Sequence, residues 1–169
     1  ATIKHFALNN QEIGRSSASV EMDEAAMRES DLLAFQIAIE KGQPGSVMCA
    51  YNRVWGEQAC ANDWLLNKVL KQSWGYKGFV MSDWGAVPNI EAALKGLDQQ
   101  SGEQLDPAVF FGDKLKDKAA ADPVWKARLD DMNRRVLTAI YASGLDRSPV
   151  KPGGKIDFAA NGAVAEEVA

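Results

Sequence analysis

Histidine is almost missing from this sequence, and cysteine nearly so: one His and two Cys among 169 residues. Two cysteines are too few for a disulfide scaffold, and the spacing of Cys49 and Cys60 is not that of a zinc site. They read most simply as ordinary thiols packed like small hydrophobes, with a disulfide closing a short loop as the alternative. Positive charge is also short. Nineteen Lys and Arg against 23 Asp and Glu leave a formal net charge of −4. No basic field exists to hold phosphates, which argues against a nucleic-acid partner. Long apolar runs are absent as well, so no membrane span is expected. Residues Ala1 to His5 lack the charged and then apolar pattern of a signal peptide, and none is expected in this chain. What remains, 46% hydrophobic and 25% charged residues, suits a globular domain long enough to bury one core.

The pattern along the chain alternates strands and helices. A strand-like segment runs from Thr2 to Ala7, followed by a polar loop from Asn9 to Ser17. A long helical stretch over 24–41 carries Met27, Ala34, Ile37 and Ala38 near helical spacing, with Gly42 as its stop. A strand over 47–51 precedes a Gly56 loop and a helix over 63–73 ended by Gly75. Phe79-Val80-Met81 is short and continuously apolar, as in a strand buried on both faces. A helical turn near 89–95 leads to a fourth strand candidate, 97–100. This order implies right-handed parallel βα units. A closed eight-stranded barrel needs about 250 residues, so the pattern fits the second half of a (β/α)₈ TIM-type barrel. A small doubly wound sheet is the other fold that the pattern permits. Helices are expected over 111–121 and 124–143, the second with a core stripe of Leu129, Met132, Val136, Leu137 and Ile140. Residues 146–162, rich in Pro and Gly, read as a linker, and 163–169 as the start of a second α/β domain, broken off inside a helix.

Ligands of parallel α/β folds bind at the carboxyl ends of the strands. Three clusters fall there: Lys4-His5-Phe6, Met48 to Asn52, and Ser82-Asp83-Trp84. Together they would gather an ammonium, an imidazole, a phenol, a carboxylate and an indole around one pocket. That set suits a sugar, whose hydroxyls seek charged partners and whose C–H face packs on an aromatic ring. A carboxylate near the anomeric carbon can act as a nucleophile or stabilise an oxocarbenium ion. Each residue has a plainer use. Asp83 can cap the following turn, a lone His5 can be a structural hydrogen-bonding group, Lys4 and Arg15 can be solvated surface charges, and Trp84 can be core.

The blocks Lys4-His5-Phe6-Ala7-Leu8-Asn9-Asn10-Gln11-Glu12, Ser46 to Asn52, Gly78 to Ala86 and Gly96-Leu97-Asp98 resemble, in order and separation, those of glycoside hydrolase family 3 β-glucosidases. The resemblance covers about residues 1–145 and implies the C-terminal half of the catalytic barrel. It implies that Asp83 is the nucleophile of a retaining mechanism. Lys4, His5 and Arg15 would bind hydroxyls in the −1 subsite, Tyr51 would sit close to Asp83, Trp84 would line the pocket, and Met48 would form part of its wall. It implies a β-glucoside or oligosaccharide substrate, no cofactor and no metal. The first barrel half and the acid/base Glu are expected from other segments of the same enzyme, so this chain alone should not turn over substrate. Ala7-Leu8-Asn9-Asn10 replaces the Gly-His-Gly type of sequence of the N-acetylhexosaminidase branch, which favours the glucosidase branch. A β-xylosidase or exo-glucanase of the same family, or a sugar-binding half-barrel without catalysis, remains as the alternative reading. Asp98-Gln99-Gln100 departs from the Met-Pro that often ends the last strand, which bears on the shape of that rim.

Overall fold

A computed structural model describes residues 1–169. Its main sheet is parallel, in the order β1 (Thr2–Phe6), β3 (Ser46–Cys49), β6 (Phe79–Met81). Ile3 pairs with Val47, and Val47 with Val80. The fourth predicted strand shrinks to a single bridge, Gln99 to Met81. Its neighbours turn their polar groups to other uses, described below. Strand order follows chain order without a reversal. Right-handed crossovers then keep all helices on one face, whereas a doubly wound sheet needs a point of reversal. The arrangement is therefore the singly wound one of a barrel. Val47, Cys49 and Val80 are fully buried beneath the helices, while Met48 and Met81, paired in register, are only half-buried on the other face.

The helices differ in detail from the periodicity. The expected helix over 24–41 is two: α1 (Glu24–Glu29) and α2 (Asp31–Gly42). Ser30, at φ −115° and ψ −107°, leaves helical geometry and its hydroxyl bonds back to the Ala26 carbonyl at 2.6 Å. That local alternative is the usual reason serine interrupts helices. The break turns the buried face to Met27, Leu32 and Ile39, so Ile37 and Ala34 are exposed. Gln43, not Gly42, takes the left-handed cap. The helix α3 (Trp64–Ser73) winds with wider i→i+5 bonding. Its Leu65, Leu66, Val69 and Leu70 recur at a spacing of four, which a wider turn stacks on the core.

A second small sheet joins β2 (Ser19–Val20), β4 (Arg53–Val54) and β5 (Glu57–Gln58) above the end of β3. Cys49 and Cys60 form a disulfide with a Cα–Cα distance of 5.1 Å, which corrects the reading of two free thiols. The helices α4 (Asp113–Ala121) and α5 (Pro123–Ala142) pack through Leu115, Ala119, Trp125 and Met132. Asp122 caps α5, accepting from the Val124 amide, and Pro123 occupies its first turn. Leu137, expected in the core stripe, is half exposed because Trp125 and Met132 set the buried face. The last helix, α6 (Phe158–Val168), begins five residues before the expected domain boundary at 163, capped by Asp157. No helix is long and apolar enough to cross a membrane.

Candidate active site

The sheet places its chemistry where apolar strand gives way to polar loop. β6 ends at Met81, so Ser82 is buried and Asp83 emerges at the strand's carboxyl end. β1 delivers His5 beside it: His5 Nε2 lies 3.3 Å from Asp83 Oδ2. The other oxygen, Oδ1, accepts the backbone N–H of Trp84 at 2.8 Å. The carboxylate is thus held from two sides, and its side chain is 15% exposed. A carboxylate fixed this way has one oxygen oriented by backbone and the other by the imidazole.

The loop after β3 contributes Tyr51, whose hydroxyl donates to the Trp84 carbonyl at 2.7 Å. Burial, and then the negative charge of Asp83, push its phenol above the usual tyrosine value, with Arg15 opposing. Arg15 reaches in from the polar loop and stacks over the Tyr51 ring at 4.5 Å, while pairing with Glu12 at 2.8 Å. Such guanidinium–ring contacts fix both groups. The structure therefore brings together four of the predicted residues, His5, Tyr51, Asp83 and Arg15. Trp84 stands at the same mouth, 57% exposed. Gly102 lies against its ring: a Cβ there would meet Trp84 Cγ at 2.5 Å, and φ is +64°. Lys4 is exposed, one residue before His5, and Met48 is half-buried on β3. Neither is brought into contact with Asp83 by a hydrogen bond or ion pair.

Two groups were given no role by the sequence. Asn52, buried, donates to the Ala7 carbonyl at 3.1 Å and so ties the loop after β3 to the end of β1. Its Oδ1 has no partner. Behind β6 lies a buried ionic cluster. Asp98 Oδ1 meets Lys71 Nζ at 2.8 Å and Arg128 Nη2 at 2.5 Å. Burial lowers the Lys71 pKa to about 8 against the pull of Asp98. Asp131 joins through Arg128 and Arg135; burial pushes its carboxyl up, but the Arg135 hydrogen bond and charge outweigh this and hold it low. The helix α5 thereby grips the Tyr76 and Gly78 carbonyls through Arg135, just before β6. No three His, Cys, Asp or Glu side chains gather as a metal site requires.

A singly wound parallel sheet, with a buttressed carboxylate and an imidazole at the strand ends, fits a βα-barrel protein, whose ligand sites lie at that end of the strands. Residues 1–105 match the glycosyl hydrolase family 3 N-terminal domain. The chain belongs to that family. It is 36% identical over 155 residues to the beta-glucosidase cel3A of Pyricularia oryzae, covering 87% of this chain and 20% of that protein. DesR, a beta-glucosidase from Streptomyces venezuelae solved with D-glucose, superposes with a TM-score of 0.83 at 38% identity, covering 97% of this chain and 22% of that one. Beta-glucosidase 3B of Thermotoga neapolitana, solved with alpha-D-glucose, gives 0.85 at 32% identity over 98% of this chain and 24% of that one. The chain is the second half of a TIM-type barrel followed by helices, and spans about a fifth of the length of the curated relatives it matches.

Proposed function

We propose that this chain supplies the nucleophile of a retaining β-glucosidase that removes terminal non-reducing β-D-glucosyl residues. The observation that carries this reading is the Asp83 carboxylate at the end of β6, with His5 Nε2 at 3.3 Å and the Trp84 amide at 2.8 Å. Asp83 attacks the anomeric carbon, and the bond from that carbon to the leaving oxygen breaks. A glycosyl ester on Asp83 results, which water then hydrolyses. The second carboxyl group of this mechanism stands about 5–5.5 Å from the first. We assign it to a Glu of another segment of the same enzyme. Lys4, His5 and Arg15 bind sugar hydroxyls, Trp84 packs on the C–H face, Tyr51 supports Asp83, and Met48 forms part of the wall. The β-glucosidase names of the relatives support glucose as the glycone.

The same reading assigns residues 1–145 to the barrel and 146–162 to a linker whose last five residues open α6, with the second domain following. The surface of α6, exposed along its whole length, supports its burial in that second domain.

The test is Asp83→Ala in the enzyme that carries this chain, assayed on aryl β-glucosides and β-xylosides. Hydrolysis should be lost and partly restored by azide, which replaces the missing nucleophile. Near-normal activity in the variant would remove Asp83 from this role. Faster turnover of xylosides by the parent enzyme would transfer the reading to the β-xylosidases of the family.

A further inference from the structure

β6 has only three residues, and one bridge pairs it on its outer side. A ladder so short specifies register weakly, yet a slip of one residue would turn Asp83 to the opposite face. Something else must hold the strand. Asp98 bonds both backbone polar groups of Val80. Its Oδ2 accepts the Val80 amide at 2.7 Å, and its own amide donates to the Val80 carbonyl at 2.9 Å. The next residues continue the rail: Ser82 N–H donates to the Gln99 carbonyl at 2.9 Å, and the Ser101 amide donates to Ser82 Oγ at 2.9 Å.

Asp98 is itself immobilised. Its side chain is wholly buried, and Lys71 and Arg128 are 5% and 11% exposed. Neither cation is free to follow a shift. Lys71 Nζ also donates to the Gly96 carbonyl at 2.6 Å, and Arg128 donates to the carbonyls of Ala93 and Leu97 at 2.6 and 2.9 Å. Buried ions of this kind are weak contributors to stability, but displacing one partner leaves an uncompensated charge. Their better use is to forbid alternatives. A slipped β6 would strip Asp98 of the Val80 amide and bury its second oxygen unpaired.

We propose that Asp98, clamped by Lys71 and Arg128, is a positioning residue that locks the register of β6 and so aims the Asp83 carboxylate at the anomeric carbon. It never touches substrate. The proposal rests on the reading of Asp83 as nucleophile, and the experiment separates the two.

The enzyme that carries this chain is treated with an activated 2-deoxy-2-fluoro-β-D-glucoside bearing a dinitrophenolate leaving group, which departs without acid assistance. Formation of the covalent adduct then reports nucleophile geometry. The first-order trapping constant and the reagent's dissociation constant are measured separately, and the labelled peptide is identified by mass. Asp98→Asn should trap up to about 100-fold more slowly, with the dissociation constant within about threefold. Arg128→Lys keeps one charge contact but not the carbonyl bonds, and should fall between. A merely structural Asp98 would lower the amount of reactive protein and leave the trapping constant of the folded fraction unchanged. That result in both variants overturns the proposal while leaving Asp83 in place. If Asp98→Asn does not fold, Arg128→Lys decides alone: slower trapping supports the register lock, and a parental rate refutes it. Label on a residue other than Asp83 in the parent enzyme overturns the Asp83 reading and this proposal with it.

Discussion

His5 and Lys4 are adjacent on β1, yet only His5 faces Asp83, with its Nε2 3.3 Å from the carboxylate. A charge-assisted hydrogen bond is worth about 1.5–3 kcal/mol. His5→Ala and Lys4→Ala should thus each lower kcat/KM on aryl β-glucosides by roughly 10- to 200-fold. A change within twofold would assign that residue to structure instead. A second prediction concerns Lys71, which lies among Asp98, Arg128, Arg135 and Asp131. Its pKa falls from 10.5 to about 8 through burial, and Arg128 and Arg135 add to the fall while Asp98 opposes it. Between those values the unfolded chain binds more protons, so stability rises with pH from about 8 upward. Tyr76 acts in the other direction. Its phenol is held above 10.0 by burial and then Asp98, so its contribution is full below pH 10 and is lost above it. Urea denaturation between pH 7.5 and pH 10 should show the rise, and Lys71→Met should flatten it. An unchanged slope in the variant would assign the rise to other groups. Asp83 and His5 drew notice in the sequence through their places at strand ends and through the resemblance of their blocks to family 3. The Asp98 cluster did not, since Asp98 lies 27 residues from Lys71 and 30 from Arg128. Separations of that length follow no helical or strand period, and only the folded sheet brings such groups together.

At the scale of elements, the hairpin joining β4 to β5 breaks a local rule. Trp55 and Gly56 both have positive φ, +51° and +79°. Two-residue turns of that kind favour Asn-Gly, and a bulky side chain there is strained by about 1–3 kcal/mol. Trp55 is retained by what it touches. Its ring lies 4.5 Å from that of Trp64, and its Nε1 donates to the Met22 carbonyl at 2.8 Å. An aromatic pair adds about 0.5–1.5 kcal/mol beyond burial. The hydrogen bond adds about 1 kcal/mol, and burying most of an indole adds about 2 more. The contacts outweigh the strain, so Trp55→Asn should destabilise by about 0.5–3.5 kcal/mol, the difference of these estimates. Chemical denaturation measures it, and a more stable variant would reverse the balance. The turn itself was visible in Gly56; the aromatic pairing was not, because Trp64 belongs to another element. The break at Ser30 was hidden for a related reason. Apolar residues recur at helical spacing on both sides of it, and periodicity does not register one residue leaving the helix.

Seen whole, the molecule is a sheet with two open sides. β1 has no neighbour beyond it, and Gln99 closes the far side with one bridge. Unpaired strand edges invite association, and the half-buried Met48 and Met81 face away from the helices. In the intact enzyme, the remaining barrel strands are the partners we assign to these edges. The 169-residue chain studied alone should therefore self-associate in sedimentation and leave aryl β-glucosides intact. A monomeric, cooperatively unfolding chain would show that the edges need no cover. The parallel, singly wound character was legible in the alternation of buried strands and helices, and strand order then settled it against a doubly wound sheet. That order has one more consequence. Within the main sheet each strand lies beside the one of that sheet made before it, so a chain emerging from the ribosome can add β3 to β1, and β6 to β3, as each appears. The main sheet can grow at one side during synthesis, each new strand joining one already made.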